Sequence, residues 1–241
     1  MIPMKTWKKI ILPIISAILL LVSHRLTIPY ANGIAALITI ALFVIFQRSC
    51  FHTQSTNQLS LRIILMAIAA AFSYAAALSM AMEGIDRIPA TWKMALEEPV
   101  LIILDGIHPL DAATTYLALP IAEELIFRSG LARTTNNIIQ TILLSLFPFT
   151  FYCYLRSGTE AAVLSLFLGI LLTFVEEVWQ STLLNVLTHI AFLGGLLMAF
   201  ANLFLEERTL IIAAAVSLLI SAFLVYALYQ SAFEEEEDED D

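Results

Sequence analysis

Cysteine is scarce in this 241-residue chain. The two present, Cys50 and Cys153, lie far apart with no CxxC or CxH pattern, so neither a disulfide framework nor a zinc ribbon can be read. Charge is scarce too: Asp, Glu, Lys and Arg make up 14% of the chain, against about 25% in a soluble domain. Positive charge is the scarcest: 12 Lys and Arg stand against 21 Asp and Glu, and no basic stripe exists, which excludes a nucleic-acid binder. There is no HExxH and no glycine-rich phosphate loop. Nor is there an internal repeat, a heptad run or a Gly/Ser linker.

What is abundant is apolar sequence. Apolar residues make up 60% of the chain and the mean hydropathy is +0.87, whereas soluble proteins hold about 45–50% apolar residues. One core of this size cannot hide that excess, so a soluble globular enzyme is excluded. The composition implies an all-α, polytopic transmembrane helical bundle. The negative net charge of −9 is concentrated at one end: residues 234–241, EEEEDEDD, carry eight acidic groups, and without them the chain is close to neutral. Such a run repels itself and reads as a disordered, solvated tail behind a single transmembrane domain at 1–233.

Apolar runs fall at about 10–22, 33–46, 63–82, 113–128, 138–155, 161–175, 182–204 and 209–230. A straight span needs about 20 residues, so the count is about eight spans, with seven as the alternative because 33–46 and 113–128 are short. The first run follows Lys5, Lys8 and Lys9 like a signal peptide, but Ser23-His24-Arg25-Leu26 offers no small-x-small cleavage site, so it reads as a retained anchor. Segment 99–111 is broken by Gly106 and Pro109 and reads as re-entrant or interfacial. The positive-inside rule puts Lys5, Lys8, Lys9, Arg48, Arg62, Arg128 and Arg133 in the cytosol and Arg25, Arg87, Lys93, Arg156 and Arg208 outside. An even span count then leaves both termini cytosolic.

In such a chain the ionisable residues inside apolar runs are the informative ones. A charge at mid-helix costs roughly 2.5–3.5 kcal/mol, so it faces a cavity or a partner. Glu123, Glu124 and Arg128 lie within one run. Glu124 and Arg128 are four apart and share a helical face, while Glu123 sits about 100° round the helix. Two carboxylates with one guanidinium leave one acid partly uncompensated, which suits a general base; the bland alternative is a helix end surfacing at the interface. Pro120 loosens the backbone just before them. Asn185 and His189 lie one turn apart in a later run, where an imidazole holds a water or an oxyanion, or else is satisfied by a backbone carbonyl. Asp105, His108 and Asp111 have metal-like spacing, but Gly106 and Pro109 break the register, and no metal or cofactor is assigned. Glu176 and Glu177 end a run and read as a solvated turn.

The run Glu123-Glu124-Leu-Ile-Phe127-Arg128-Ser-Gly resembles the first motif, EExxxR, of the CAAX protease and bacteriocin-processing family, also called Abi: glutamic intramembrane endopeptidases. Gly169 with Thr173 resembles the family's G-x-x-x-small step, and His189 falls where its last motif has a histidine. The resemblance covers roughly 113–205. It implies that a glutamate activates water with a histidine, that histidine and asparagine polarise the oxyanion, and that no cofactor is used. Carried over, it gives Glu123, Glu124, Arg128 and His189 as catalytic residues. Two motifs depart. The middle F-x-x-x-H has no histidine: the position falls on Cys153 counted from Phe149, or on Phe151 counted from Phe147. The last motif, H-x-x-x-N, has Leu193 in place of asparagine. Cys153, Tyr152, Asn185 and Thr188 are the substitutes at hand. The expectation is an intramembrane endopeptidase of the CAAX-processing type, cutting a membrane-anchored or lipidated peptide near the cytosolic face of a bacterial plasma membrane. The alternative is an impaired member that binds a membrane segment or serves as an immunity or assembly partner. A transporter would be expected to show paired broken helices in two matching halves.

Overall fold

The computed structural model describes residues 4–26, 30–47, 59–85, 113–132, 137–198 and 204–238. Segment 99–111, with Asp105, His108 and Asp111, lies outside the described residues. Among the described residues the structure is all-α, with helices at each of the apolar runs: α1 (Met4–Arg25), α2 (Ala31–Phe46), α3 (Leu61–Gly84), α4 (114–131), α5 (Ile138–Ser157), α6 (Thr159–Trp179), α7 (Thr182–Leu196) and α8 (Glu207–Asp238). Helices α3, α5, α6 and the 207–232 part of α8 are long and apolar enough to cross a membrane, and α2, α7 and the 10–25 part of α1 are shorter apolar helices. The chain is a polytopic, all-α membrane protein.

The helix ends follow local chemistry. Ser60 caps α3 by accepting from the Ile63 N–H at 3.3 Å, and Asn137 caps α5 by accepting from the Gln140 N–H at 3.0 Å. Helices α5 and α6 are joined by Gly158 alone, whose φ of +94° suits glycine. Two prolines leave a wider imprint. Each lacks an N–H and crowds the carbonyl four residues back, and each is preceded by a π-helical turn: 114–118 before Pro120 and 142–146 before Pro148. A further π-helical stretch, Leu125–Leu131, holds Arg128. The loosening expected at Pro120 is therefore present, as widened helix rather than breakage, and Pro148 shows the same. At the other end of the chain, α8 continues to Asp238. The backbone of 234–238 is thus helical where the acidic run alone suggests disorder; Glu is a good helix former, and the apolar helix before it supplies the nucleus.

The chain divides into two compact units, 1–55 with 108–186, and 56–107 with 187–241, a division that no composition shift marks. In the first, α1 packs on α2, on the second half of α4 and on the end of α5, while α5 packs along α6. In the second, α3 and α8 run antiparallel: Gly84 lies against Ile211, Met80 clusters with Leu210 and Ala214, and the Ser221 hydroxyl donates to the Ala70 carbonyl at 3.0 Å. Alanine makes this seam possible. Ala67, Ala70, Ala71, Ala75, Ala76 and Ala77 are all buried, and small side chains let helix backbones approach without a hydrophobic driving force. Gly195 serves the same end, since a Cβ there would stand 2.3 Å from the Phe72 carbonyl oxygen. The outward faces are apolar, as in Ile212, Leu219 and Phe223 of α8, while Ser16, Thr39, Ser79 and Thr173 point inward. That inversion is what a hydrocarbon solvent selects.

Candidate active site

Every ionisable side chain of the EELIFR run is inside the first unit. Glu123, Glu124 and Arg128 are buried, Arg128 completely. The interfacial helix-end reading of the motif is therefore set aside. Glu124 and Arg128 face each other along α4 as their spacing requires, with Nε 3.9 Å from Oε2. The guanidinium reaches beyond its own helix. Its Nη1 donates to the Ser145 hydroxyl on α5 at 2.8 Å, and its centre lies 4.9 Å from the middle of the Phe149 ring. Gly169 on α6 gives it room: a Cβ there would meet Leu146 at 2.4 Å and the Arg128 Nη2 at 3.5 Å. Glu123 and Glu176 also lie within electrostatic reach of Arg128.

Glu123 points elsewhere. Its Oε1 accepts a hydrogen bond from Nη1 of Arg156 and forms an ion pair with it. Arg156 closes α5, one turn after Tyr152; the same Nη1 lies 3.5 Å from the Tyr152 hydroxyl, and the guanidinium centre is 5.7 Å from the Tyr152 ring centroid. Phe127 fills the space beneath, with ring centroids 5.4 Å from Phe149 and 5.3 Å from Tyr152. The Arg156 side chain is 26% exposed and that of Glu123 5%, so the arginine is the outer member of the pair. Arg25, at the end of α1, donates to the Leu155 carbonyl at 2.7 Å. The pair therefore sits toward the end of α1 opposite Lys5, Lys8 and Lys9.

Arg156, which the positive-inside count puts outside, turns in along its own helix to reach a buried carboxylate. One sequence-based reading is corrected here. Glu176 is not in a solvated turn. It is buried and accepts from Nδ2 of Asn185, a bond that ties α6 to the start of α7. A signal for Glu176 did exist: Gly169, Thr173 and Glu176 follow at helical spacing on one buried stripe of α6. Arg156 had none, because a charge one residue past an apolar run reads as solvated.

The substitute candidates separate. Cys153, where the family-like histidine would fall, is a buried free thiol within electrostatic reach of Glu123. Asn185 is completely buried, with its Oδ1 lacking a hydrogen-bond partner. Further along α7, in the second unit, Thr188 and His189 are buried as well. Among the described residues no group of three His, Cys, Asp or Glu side chains is arranged to hold a metal ion.

The family model of Rce1-like proteins, described as type II CAAX prenyl endopeptidase Rce1-like, matches residues 106–195. Over these residues the chain is similar to that family. No curated protein and no solved structure matches the chain. The Rce1-like segment takes in α4, α5, α6 and nearly all of α7, and so includes Glu123, Glu124, Arg128, Arg156, Glu176 and His189. The match is to a family of proteases and accords with the resemblance carried by EELIFR. Helices α1, α2, α3 and α8 lie outside it.

Proposed function

We propose that the protein is an intramembrane endopeptidase of the CAAX-processing type, in which Glu123 activates the water. The carrying observation is a carboxylate buried on α4, within the Rce1-like segment, and held by a guanidinium, with a second carboxylate–guanidinium pair, Glu124 with Arg128, beginning at the next residue. Glu123 takes a proton from water and the oxygen adds to the peptide carbonyl carbon, leaving an oxyanion whose stabilisation is the role that the resemblance gives to His189. As the C–N bond breaks, the proton held by Glu123 passes to the departing nitrogen. Glu124 and Arg128 fix the helix turn that presents Glu123. The substrate is a membrane-anchored or lipidated peptide. The test is digestion of a farnesylated peptide with a CAAX ending, in detergent and in ¹⁸O-labelled water: the new carboxylate should gain one label per cleavage, with no acyl-enzyme accumulating. A covalent intermediate would remove the glutamate-activated water.

A second reading, a membrane-segment binder or an immunity or assembly partner, draws on Cys153 and Leu193 standing where the family motifs have histidine and asparagine. Peptide that is bound but left intact would select it.

The proposed topology has eight spans and both termini in the cytosol of a bacterial plasma membrane. Arg128 and Arg156 turn inward, so neither counts in a positive-inside argument, and Lys5, Lys8 and Lys9 carry the orientation. Since the Glu123–Arg156 pair lies toward the opposite end of α1, a cytosolic N-terminus directs it at the far leaflet, not at the cytosolic face expected from the resemblance. Reporter fusions after Phe233 should read as cytosolic; an extracytoplasmic signal would overturn the eight-span arrangement.

A further inference from the structure

Helix α5 carries no histidine, yet it places a cationic donor on the candidate base. We infer that Arg156 is the positioning residue of Glu123, supplied by the helix from which the resemblance would bring an imidazole. The inference rests on the proteolytic reading and adds a residue to it. The geometry is specific. Nη1 engages Oε1 of Glu123 from the more exposed side, so one lone-pair direction is fixed and the carboxylate cannot rotate freely. Oε2 is then the oxygen whose orientation this pairing sets.

Arg156 is itself held, by the Tyr152 ring and hydroxyl and by Nε donation to the Ser157 hydroxyl at 3.4 Å. Cys153 stands on the inner side of the same helix. A thiol is a weak hydrogen-bond donor, and a guanidinium presents a rigid fork of strong ones. An arginine differs from an imidazole in one further respect: it stays charged at working pH and cannot relay a proton. Arg156 therefore orients and leaves all proton movement to Glu123. Among the described residues, Tyr152 and Cys153 on α5 and Arg128 on α4 lie within electrostatic reach of the pair, Glu124 adjoins Glu123 in the chain, and Arg25 of α1 reaches the neighbouring Leu155 carbonyl.

The test uses the full chain in detergent with the farnesylated CAAX-ending peptide. Arg156→Ala should lower kcat on the order of 10²-fold, as loss of one preorganised donor does, with KM held, and should also melt earlier because it leaves the buried Glu123 carboxylate unpaired. Arg156→Gln keeps an N–H toward Glu123 and should lower kcat with a smaller change in melting temperature. Arg156→Lys should recover part of the rate. Arg156→His adds a readout that a merely structural ion pair would not move: its rate relative to the unsubstituted protein should rise as pH falls through about 6.5, where imidazole becomes cationic. Arg156→Gln with undiminished kcat, a flat Arg156→His ratio, or a loss that tracks the melting temperature alone would overturn the inference. Glu123→Gln separates it from the reading beneath it. If that variant still cleaves, the proteolytic role of Glu123 fails; if it is inactive while Arg156→Gln is fully active, only the positioning role fails.

Discussion

Glu123→Gln should lower peptide hydrolysis at least about 10²-fold, the lower end of what a positioned base contributes, while the protein stays folded. The amide matches the carboxylate in shape, and its oxygen still accepts from Arg156, so the packing of Phe127 against Phe149 and Tyr152 is undisturbed. What disappears is basicity. The folding cost should be small for a second reason: the guanidinium left without its counter-charge is the outer member of the pair, with a side chain 26% exposed, and can be satisfied by water or lipid headgroups. Steady-state cleavage and a thermal melt on one preparation check both halves. Processing that continues at the unsubstituted rate would leave the chain a binding role only.

That Glu123 can be singled out in advance reflects which parts of a membrane protein are written in its sequence. Apolar runs set helix positions because every backbone polar group must be satisfied internally in lipid, and α1 to α8 fall where the runs do. Pro120 and Pro148 marked the loosened turns, since a missing N–H acts wherever the helix lies. Glu124 and Arg128 were readable as a pair because helical spacing alone brings them together. Arg156 and Glu176 were not. Both sit at the ends of apolar runs, where hydropathy scores a charge as solvated, and only packing between helices tells which way such a side chain turns. The partner of Glu123 lies 33 residues on, that of Glu176 nine residues on across a helix boundary, and neither separation is a helical period. The division into two units was equally silent, because it falls within α7 and follows no linker.

Arg128→Ala should destabilise the protein more than Glu123→Ala does, by roughly 3–5 kcal/mol if the pair behaves as buried ion pairs do when one partner is removed. The two variants look alike on paper, each breaking one carboxylate–guanidinium pair, but burial separates them. Arg128 is completely enclosed: it faces Glu124 on its own helix, donates to Ser145 on α5, lies over the Phe149 ring and counters the charge of Glu176. Its removal strands negative charge where no water reaches it and opens a cavity between α4, α5 and α6. Removing Glu123 strands Arg156 instead, a longer, partly exposed side chain that can swing outward. Thermal melts in detergent give the ordering, and a compensating change isolates the cause. Arg128→Met combined with Glu124→Leu replaces the pair with apolar volume, and buried pairs so replaced lose little stability. The double variant should therefore melt above Arg128→Ala. If Glu123→Ala melts as early as Arg128→Ala, the structural clamp belongs to Glu123 and Arg156, and the catalytic base must be sought at Glu124.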